Sequence, residues 1–365
     1  MTPLASVERP KRVVVFATLP PPVTGASKNT AIVASAIREI SPAMAVIDIS
    51  PDNLKRGLRY HFQRLSRTVI GCLRFIIFGR RPETIFIAAE ARFGLVYTAT
   101  AVGCARLRHS RIFIHHHSFS YIRSRSRMMS AITTLAGKEA HHIFLCQTMR
   151  RGFVSQYGQV RSNVVSNLAM LSEPIGRAVR RPSDAPVTLG LLSNLTFDKG
   201  VREFLEVVDG CISRGVRVEA VLAGPADEDV RDFLESRLPK ASAPLRWIGP
   251  VYDEQKSAFY DSLDIFLFPT TYAVEAQPNV LLEAAAHGLL VIATDVGCIS
   301  EDVARLGGYS LPHSTYVTGA VDIISKFDED RVGAWEQAVK RLEAVRVHHE
   351  ISLDEYAKLI ASVAK

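Results

Sequence analysis

Short β-branched apolar runs alternate with helical stretches along this chain, and the alternation runs twice. In the first half the runs Val13–Ala17, Ala45–Ile49, Thr84–Ala88, Arg111–His115, His142–Leu145 and Asn163–Ser166 read as strands. Helical patterns fill the gaps, roughly Asn29–Ile40, Leu54–Phe78, Gly94–Leu107, Met128–Gly137 and Met149–Tyr157. Glu173–Pro186 contains Pro174, Gly176, Pro182 and Pro186, has no apolar period and reads as a linker. The pattern then restarts through Val187–Leu192, Gly200–Ile212, Val218–Ala223, Val230–Leu238, Leu245–Ile248, Lys256–Ser262, Ile265–Phe268, Val280–His287 and Val291–Thr294. Strands separated by helices pair in parallel, because the crossover needs about a dozen residues. The expectation is therefore an α/β protein with two Rossmann-like, doubly wound domains, residues 1–172 and 187–340, facing across a cleft. Residues 341–365 are expected to form a helix that can pack back on the first domain. Ligands of such sheets bind beyond the strand C-termini, which directs attention to the loops there.

Charge separates the same two halves. Residues 1–181 hold 27 Lys and Arg against 8 Asp and Glu, a net +19, while residues 182–365 carry −12. The basic half should be drawn to something anionic. Nucleic acid is the least expected partner, because no recognition module or aromatic-studded sheet signature is present. The 47% hydrophobic content excludes a disordered chain. Five widely spaced cysteines with no CxxC pair suggest buried thiols of a reducing compartment rather than a zinc site. With neither an apolar run of spanning length nor a leader-like N-terminus, the chain is expected to be cytoplasmic.

The basic residues cluster. From Leu54 to Arg81 there are eight Lys and Arg and no acid, interleaved with Leu58, Phe62, Leu65, Val69, Leu73, Ile76 and Ile77 on one helical stripe. Phe75 and Phe78 are expected to widen it. A basic amphipathic helix of this kind suits the inner face of an anionic membrane, with Arg56, Arg59, Phe62, Arg64 and Arg67 as contacts. The alternative is a core helix with an arginine-rich outer face.

Several loops at strand ends carry chemistry. The first strand runs through three prolines into Val23-Thr24-Gly25-Ala26-Ser27, where a helix start can bind a phosphate; the bland alternative is a tight turn capped by Ser27. The spacing fits neither a dinucleotide fingerprint nor a P-loop. His115-His116-His117 ends another strand, but alternation turns His116 away from its neighbours, so no metal site is expected. Gly190 to Gly200 leads out of the first strand of the second half and places Lys199 at a helix entry. Glu275 and Glu283, eight apart, flank Pro278 between a strand and a helix, where carboxylates can accept bonds from sugar and ribose hydroxyls.

The order of these features, a glycine loop, a strand-end histidine, Lys199-Gly200 and then Glu275 to Glu283, resembles the family 4 glycosyltransferases of GT-B fold, and the proline-rich loop resembles a bacterial subgroup. The resemblance implies a retaining, metal-independent transfer of a sugar from a nucleoside diphosphate to a hydroxyl of a lipid-linked or glycan acceptor, in cell-surface polysaccharide or glycolipid synthesis. No cofactor is implied beyond the nucleotide sugar itself. It implies catalytic roles for His117, Glu275 and Lys199, with His115 as the alternative histidine. Donor contacts are implied at Gly25, Ala26, Asn194, Lys199, Val251, Asn279, Val280 and Glu283. The chain departs from the pattern where Asn194 replaces an arginine and where Ala276 replaces a glycine. A non-catalytic nucleotide- or partner-binding protein of the same fold is the rival expectation.

Overall fold

The computed structural model describes residues 12–52, 57–77, 84–178, 182, 184–241 and 243–365. The chain divides into two compact units, one holding residues up to Ser166 together with Ser352–Lys365, the other Asn167–Ile351.

The first unit is built on a six-stranded parallel sheet of β1 (Val13–Ala17), β2 (Ala45–Asp48), β3 (Thr84–Ala89), β4 (Arg111–His116), β5 (His141–Phe144) and β6 (Arg161–Val164), in the order β2-β1-β3-β4-β5-β6. Its direction of winding reverses between β1 and β3, whose register runs from Val13 opposite Thr84 to Phe16 opposite Ile87. The helix Gly25–Ile40 begins earlier than its apolar pattern does, because Thr24 caps it. The Thr24 hydroxyl accepts from Ser27 N–H at 3.1 Å and Ser27 Oγ accepts from Thr24 N–H at 2.8 Å, a reciprocal capping box. Ser27 is thus the third residue of the helix and not its cap, and Gly25 and Ala26 form its exposed first turn.

The second unit repeats the architecture with β7 (Val187–Leu192), β8 (Val218–Ala223), β9 (Leu245–Trp247), β10 (Ile265–Phe268), β11 (Leu290–Thr294) and β12 (Tyr309–Leu311), in the order β12-β11-β10-β7-β8-β9. Pleating sends successive side chains to opposite faces. Leu189, Leu191, Ile265, Leu267 and Ile292 pack into one core, while Leu192, Phe266, Phe268, Val291 and Ala293 pack into the other. Both faces being covered, these strands read as continuous apolar runs and not as alternating ones. Here the winding reverses between β7 and β10.

The helix Leu58–Ile77 turns Phe62, Leu65, Val69, Leu73 and Ile77 of its predicted stripe outward, while Ile76 is half-buried. Phe62 is 72% exposed, and Leu65, Val69, Ile70, Leu73 and Ile77 are exposed with it. Three expectations for this segment need correction. Arg64 is no surface cation: it is 4% exposed and its guanidinium meets Glu90 at 2.8 Å, donates to the Ile49 carbonyl at 3.2 Å and lies 4.7 Å from the Tyr97 ring centroid. The helix needs an inward face to hold the sheet, and Arg64 lies on that face with Thr68, Cys72 and Phe75. Phe75 therefore anchors the helix and does not widen the stripe. Arg67 pairs with Asp52 at 2.7 Å and bonds the Ser50 carbonyl, which leaves it half engaged with protein. Arg59 and Arg74 are exposed, while Arg56 and Phe78 lie outside the described residues.

Candidate active site

The C-terminal ends of β7 and β10 meet at the reversal point of the second sheet, where α/β sheets open a crevice for ligands. The loop after β7 ends in a single turn, Phe197–Lys199, followed by Gly200. Gly200 has φ of 87°, and a Cβ there would stand 2.4 Å from the Pro269 carbonyl oxygen. Only glycine lets the two loops close this far. The Asp198 carbonyl fastens them by accepting from Thr271 N–H at 2.8 Å.

That closure places Lys199 on Glu275. Nζ lies 2.5 Å from Oε2, and the two side chains are 15% and 12% exposed. The ammonium also stands 4.3 Å from the Tyr272 ring centroid, a cation–π position. Glu275 is held from behind as well. Gly297, with φ of 65°, leaves no room for a Cβ against the Glu275 and Ala276 carbonyls, and Cys298 N–H donates to the Ala276 oxygen at 2.8 Å.

Glu283 sits in the helix Asn279–Ala286, which starts directly after the loop with Pro278 as its N-cap. It is buried, its Oε2 accepts from Tyr260 Oη at 2.9 Å, and Lys256 Nζ pairs with the same oxygen. Tyr260 Oη also lies 3.2 Å from the Val280 carbonyl. Next to Glu283 and buried with it, the Tyr260 hydroxyl is pushed well above its ordinary value by desolvation first and by that carboxylate second, so it stays a donor. Asn279 and Val280 are the half-buried first residues of that helix. Asn194 is exposed on the loop after β7, and Val251 is half-buried beyond β9. Gly224, with φ of 113°, ties these ends together: its N–H donates to the Gly249 carbonyl at 2.7 Å and its own carbonyl accepts from Trp247 Nε1 at 3.0 Å.

In the first unit, Gly25 and Ala26 open a helix at the end of β1. His117 follows β4, half-buried, with its ring centroid 4.0 Å from that of fully buried His115. Desolvation lowers His117 to about 4, and its buried Nε2 has no hydrogen-bond partner among the described residues. His116 points the other way, as alternation requires, between Tyr121 Oη at 2.9 Å and His142 Nδ1 at 2.9 Å.

The sequence reading missed Lys256, Tyr260, Tyr272, Gln277 and Asp302. Lys256 and Tyr260 are four apart on the helix Asp253–Asp261, a spacing that puts both on one face, and that was their available signal. Gln277 and Asp302 are 25 residues apart and gave none.

Residues 186–326 match the family model described as glycosyl transferases group 1. A phosphatidylinositol N-acetylglucosaminyltransferase gpi3 subunit from Schizosaccharomyces pombe is 25% identical over 194 residues, 52% of this chain and 41% of that protein, so the match spans less than half of the curated relative. Among solved structures, Anabaena HepE in complex with UDP superposes with a TM-score of 0.69 at 16% identity, covering 96% of this chain and 100% of that one. Sucrose-phosphate synthase from Thermosynechococcus elongatus gives 0.72 at 14% identity, covering 97% and 99%. Both likenesses establish the GT-B fold, two Rossmann-like domains.

Proposed function

We propose that this chain, which carries a group 1 glycosyl transferase domain across residues 186–326, moves a sugar from a nucleoside diphosphate sugar to a hydroxyl of a lipid-linked or glycan acceptor, with retention at the anomeric carbon and without a metal or other cofactor. The observation that carries the reading is the Lys199–Glu275 pair at the reversal point of the second sheet. As the sugar–phosphate bond breaks, charge builds on the leaving diphosphate. In this reading Lys199 shares its hydrogen bonds between Glu275 and that phosphate, and the amides at the start of the helix Asn279–Ala286 add partial positive charge. Glu275 Oε1 then receives donor-sugar hydroxyls, and Glu283, whose Oε2 meets both Tyr260 and Lys256 among the described residues, offers Oε1 to the ribose. Lys256 supplies a second cation on this side of the sheet, where Asn194 cannot. Val251 is assigned to the nucleobase edge. In the first unit Gly25 and Ala26 are assigned to the phosphate or acceptor, and neutral His117 to a hydrogen bond near the transferred sugar.

The UDP bound to HepE supports uridine as the base. Melting the protein with uridine, guanosine and thymidine diphosphates tests the donor site, since a ligand of the native state raises the midpoint. UDP is expected to give the largest rise. No shift with any of the three would sink the donor assignment, and binding without turnover across nucleotide sugars and lipid acceptors would favour the non-catalytic reading.

Exposed apolar side chains along the helix Leu58–Ile77, beside exposed Arg59 and Arg74, support docking on an anionic membrane face. Phe93, 65% exposed and 5.6 Å from the His61 ring, extends that apolar surface. The lipid named in the Schizosaccharomyces pombe relative agrees with a lipid-linked acceptor. Anionic vesicles should sediment the protein at low salt, and Phe62→Gln/Leu65→Gln/Leu73→Gln should return it to the supernatant. Equal recovery of the native protein in the supernatant with neutral and anionic vesicles would end this part of the reading.

A further inference from the structure

We propose that Asp302 is a positioning residue for the donor loop, acting through the Gln277 amide to fix the backbone between Glu275 and Asn279. This rests on the reading above, in which that loop holds the diphosphate and the donor sugar.

Gln277 stands midway between Glu275 and Asn279 in sequence, yet its side chain is turned inward and the residue is 5% exposed. Its Nε2 donates to Asp302 Oδ1 at 2.8 Å and Oδ2 at 2.9 Å. Its Oε1 accepts the Asn167 amide at 2.7 Å, and Asn167 Nδ2 donates back to the Gln277 carbonyl at 2.9 Å. The amide is therefore used from both ends, with the backbone of its own residue tied in. Asp302 is 4% exposed and lies in the helix Ile299–Leu306 behind the loop. Among the described residues no cation comes within ion-pair distance of it: Arg305, one turn on, pairs with Glu301. Burying a lone carboxylate is costly, and an apolar side chain would fill such a site at lower cost. Its product here is geometric, a clamp on the one segment that joins Glu275 to the helix start.

The clamp depends on charge. Ionised, Asp302 accepts from Nε2 with both oxygens; protonated, one oxygen becomes an O–H facing the amide's own N–H groups and only the carbonyl oxygen still accepts, which weakens the clamp. Burial raises Asp302 to about 7, with the Gln277 bond and Arg305 acting to lower it and Glu301 to raise it. These are the charged groups acting on it among the described residues, and the loop side presents only the Gln277 amide, backed by Asn167. The loop is thus firm above neutrality and loosens below it.

Calorimetric titration of the whole protein with UDP tests this from about one unit below to one unit above that value. Native affinity is expected to rise with pH. Asp302→Asn should bind about fivefold or more weakly at the upper end, and should keep only the pH dependence of the UDP phosphate itself, which both proteins share. Gln277→Leu should show the same loss, and adding Asp302→Asn to it should cost little more, because the two act as one unit. A carboxylate that merely supported the fold would lower the melting point without moving the pH profile. Native affinity and native pH dependence in Asp302→Asn, or losses that add in full, would overturn the proposal. Gln277→Leu keeps the measurement available if Asp302→Asn fails to fold. Native protein that binds none of uridine, guanosine and thymidine diphosphate at any pH would refute the donor reading itself, and this proposal with it.

Discussion

Glu275→Gln is expected to lower sugar transfer by about two to three orders of magnitude, the scale seen when one preorganised polar group is taken from a transition state. The substitution keeps the size of the side chain and its place between Gly297 and Lys199, but removes the charge that Lys199 meets at 2.5 Å. Two effects follow with opposite signs for binding. Lys199 is released toward the diphosphate, so UDP should bind as tightly as before or tighter. On the proposed reading the donor sugar loses a charged hydrogen-bond acceptor, so turnover should fall. Stability should drop as well, because a nearly buried ammonium is left without its partner; removing one member of a fully buried pair costs about 3–5 kcal/mol, and water at this crevice reduces that figure. Steady-state rates with UDP binding measured on the same preparation separate the effects. Native rates in a folded Glu275→Gln protein would remove this carboxylate from the chemistry.

Acid should destabilise the first unit through its buried histidines, and His142 is the clearest case. It is fully buried, its ring stacks on His116 at an interplanar angle of 9°, and desolvation lowers it to about 4. His116 is lowered further, by burial first and by His142 second. The unfolded chain takes up a proton near the ordinary value of 6.5, whereas the folded chain does not until about 4. Stability is therefore full above 6.5, falls as pH drops through that window, and levels off below it. A shift of this size corresponds to about 3 kcal/mol for His142. Melting curves across the window should show the decline, and His142→Phe, which keeps a ring but cannot bind a proton, should show a shallower one. Parallel slopes for the two proteins would assign the acid sensitivity to other groups.

These two sites differ in how far they could be read in advance. Glu275, Lys199 and Glu283 stood out in the chain because each lies in a strand-to-helix loop or early in the helix that follows it, and local order fixes such places. The pairing of Lys199 with Glu275 was not visible, since it depends on Gly200 closing against Pro269, 69 residues away. The histidine cluster was half legible: alternation along β4 set His116 apart from His115 and His117, but nothing local brings in His142 from β5.

By itself, the sequence determined the number of sheets, their parallel character and the grouping of the apolar stripe on one side of its helix, though not which way that side turns, because a period of two or of 3.6 residues assigns side chains to faces without reference to any distant partner. Only the tertiary structure decided which member of each face does what. Arg64 carries the same charge as Arg59, yet one is held by Glu90 and Tyr97 inside while the other meets solvent. Gln277 and Asp302 looked like ordinary loop and helix polar residues until folding set them 2.8 Å apart. A periodicity is a property of neighbours along the chain, whereas a hydrogen bond or an ion pair between remote segments exists only once packing has removed the water between them.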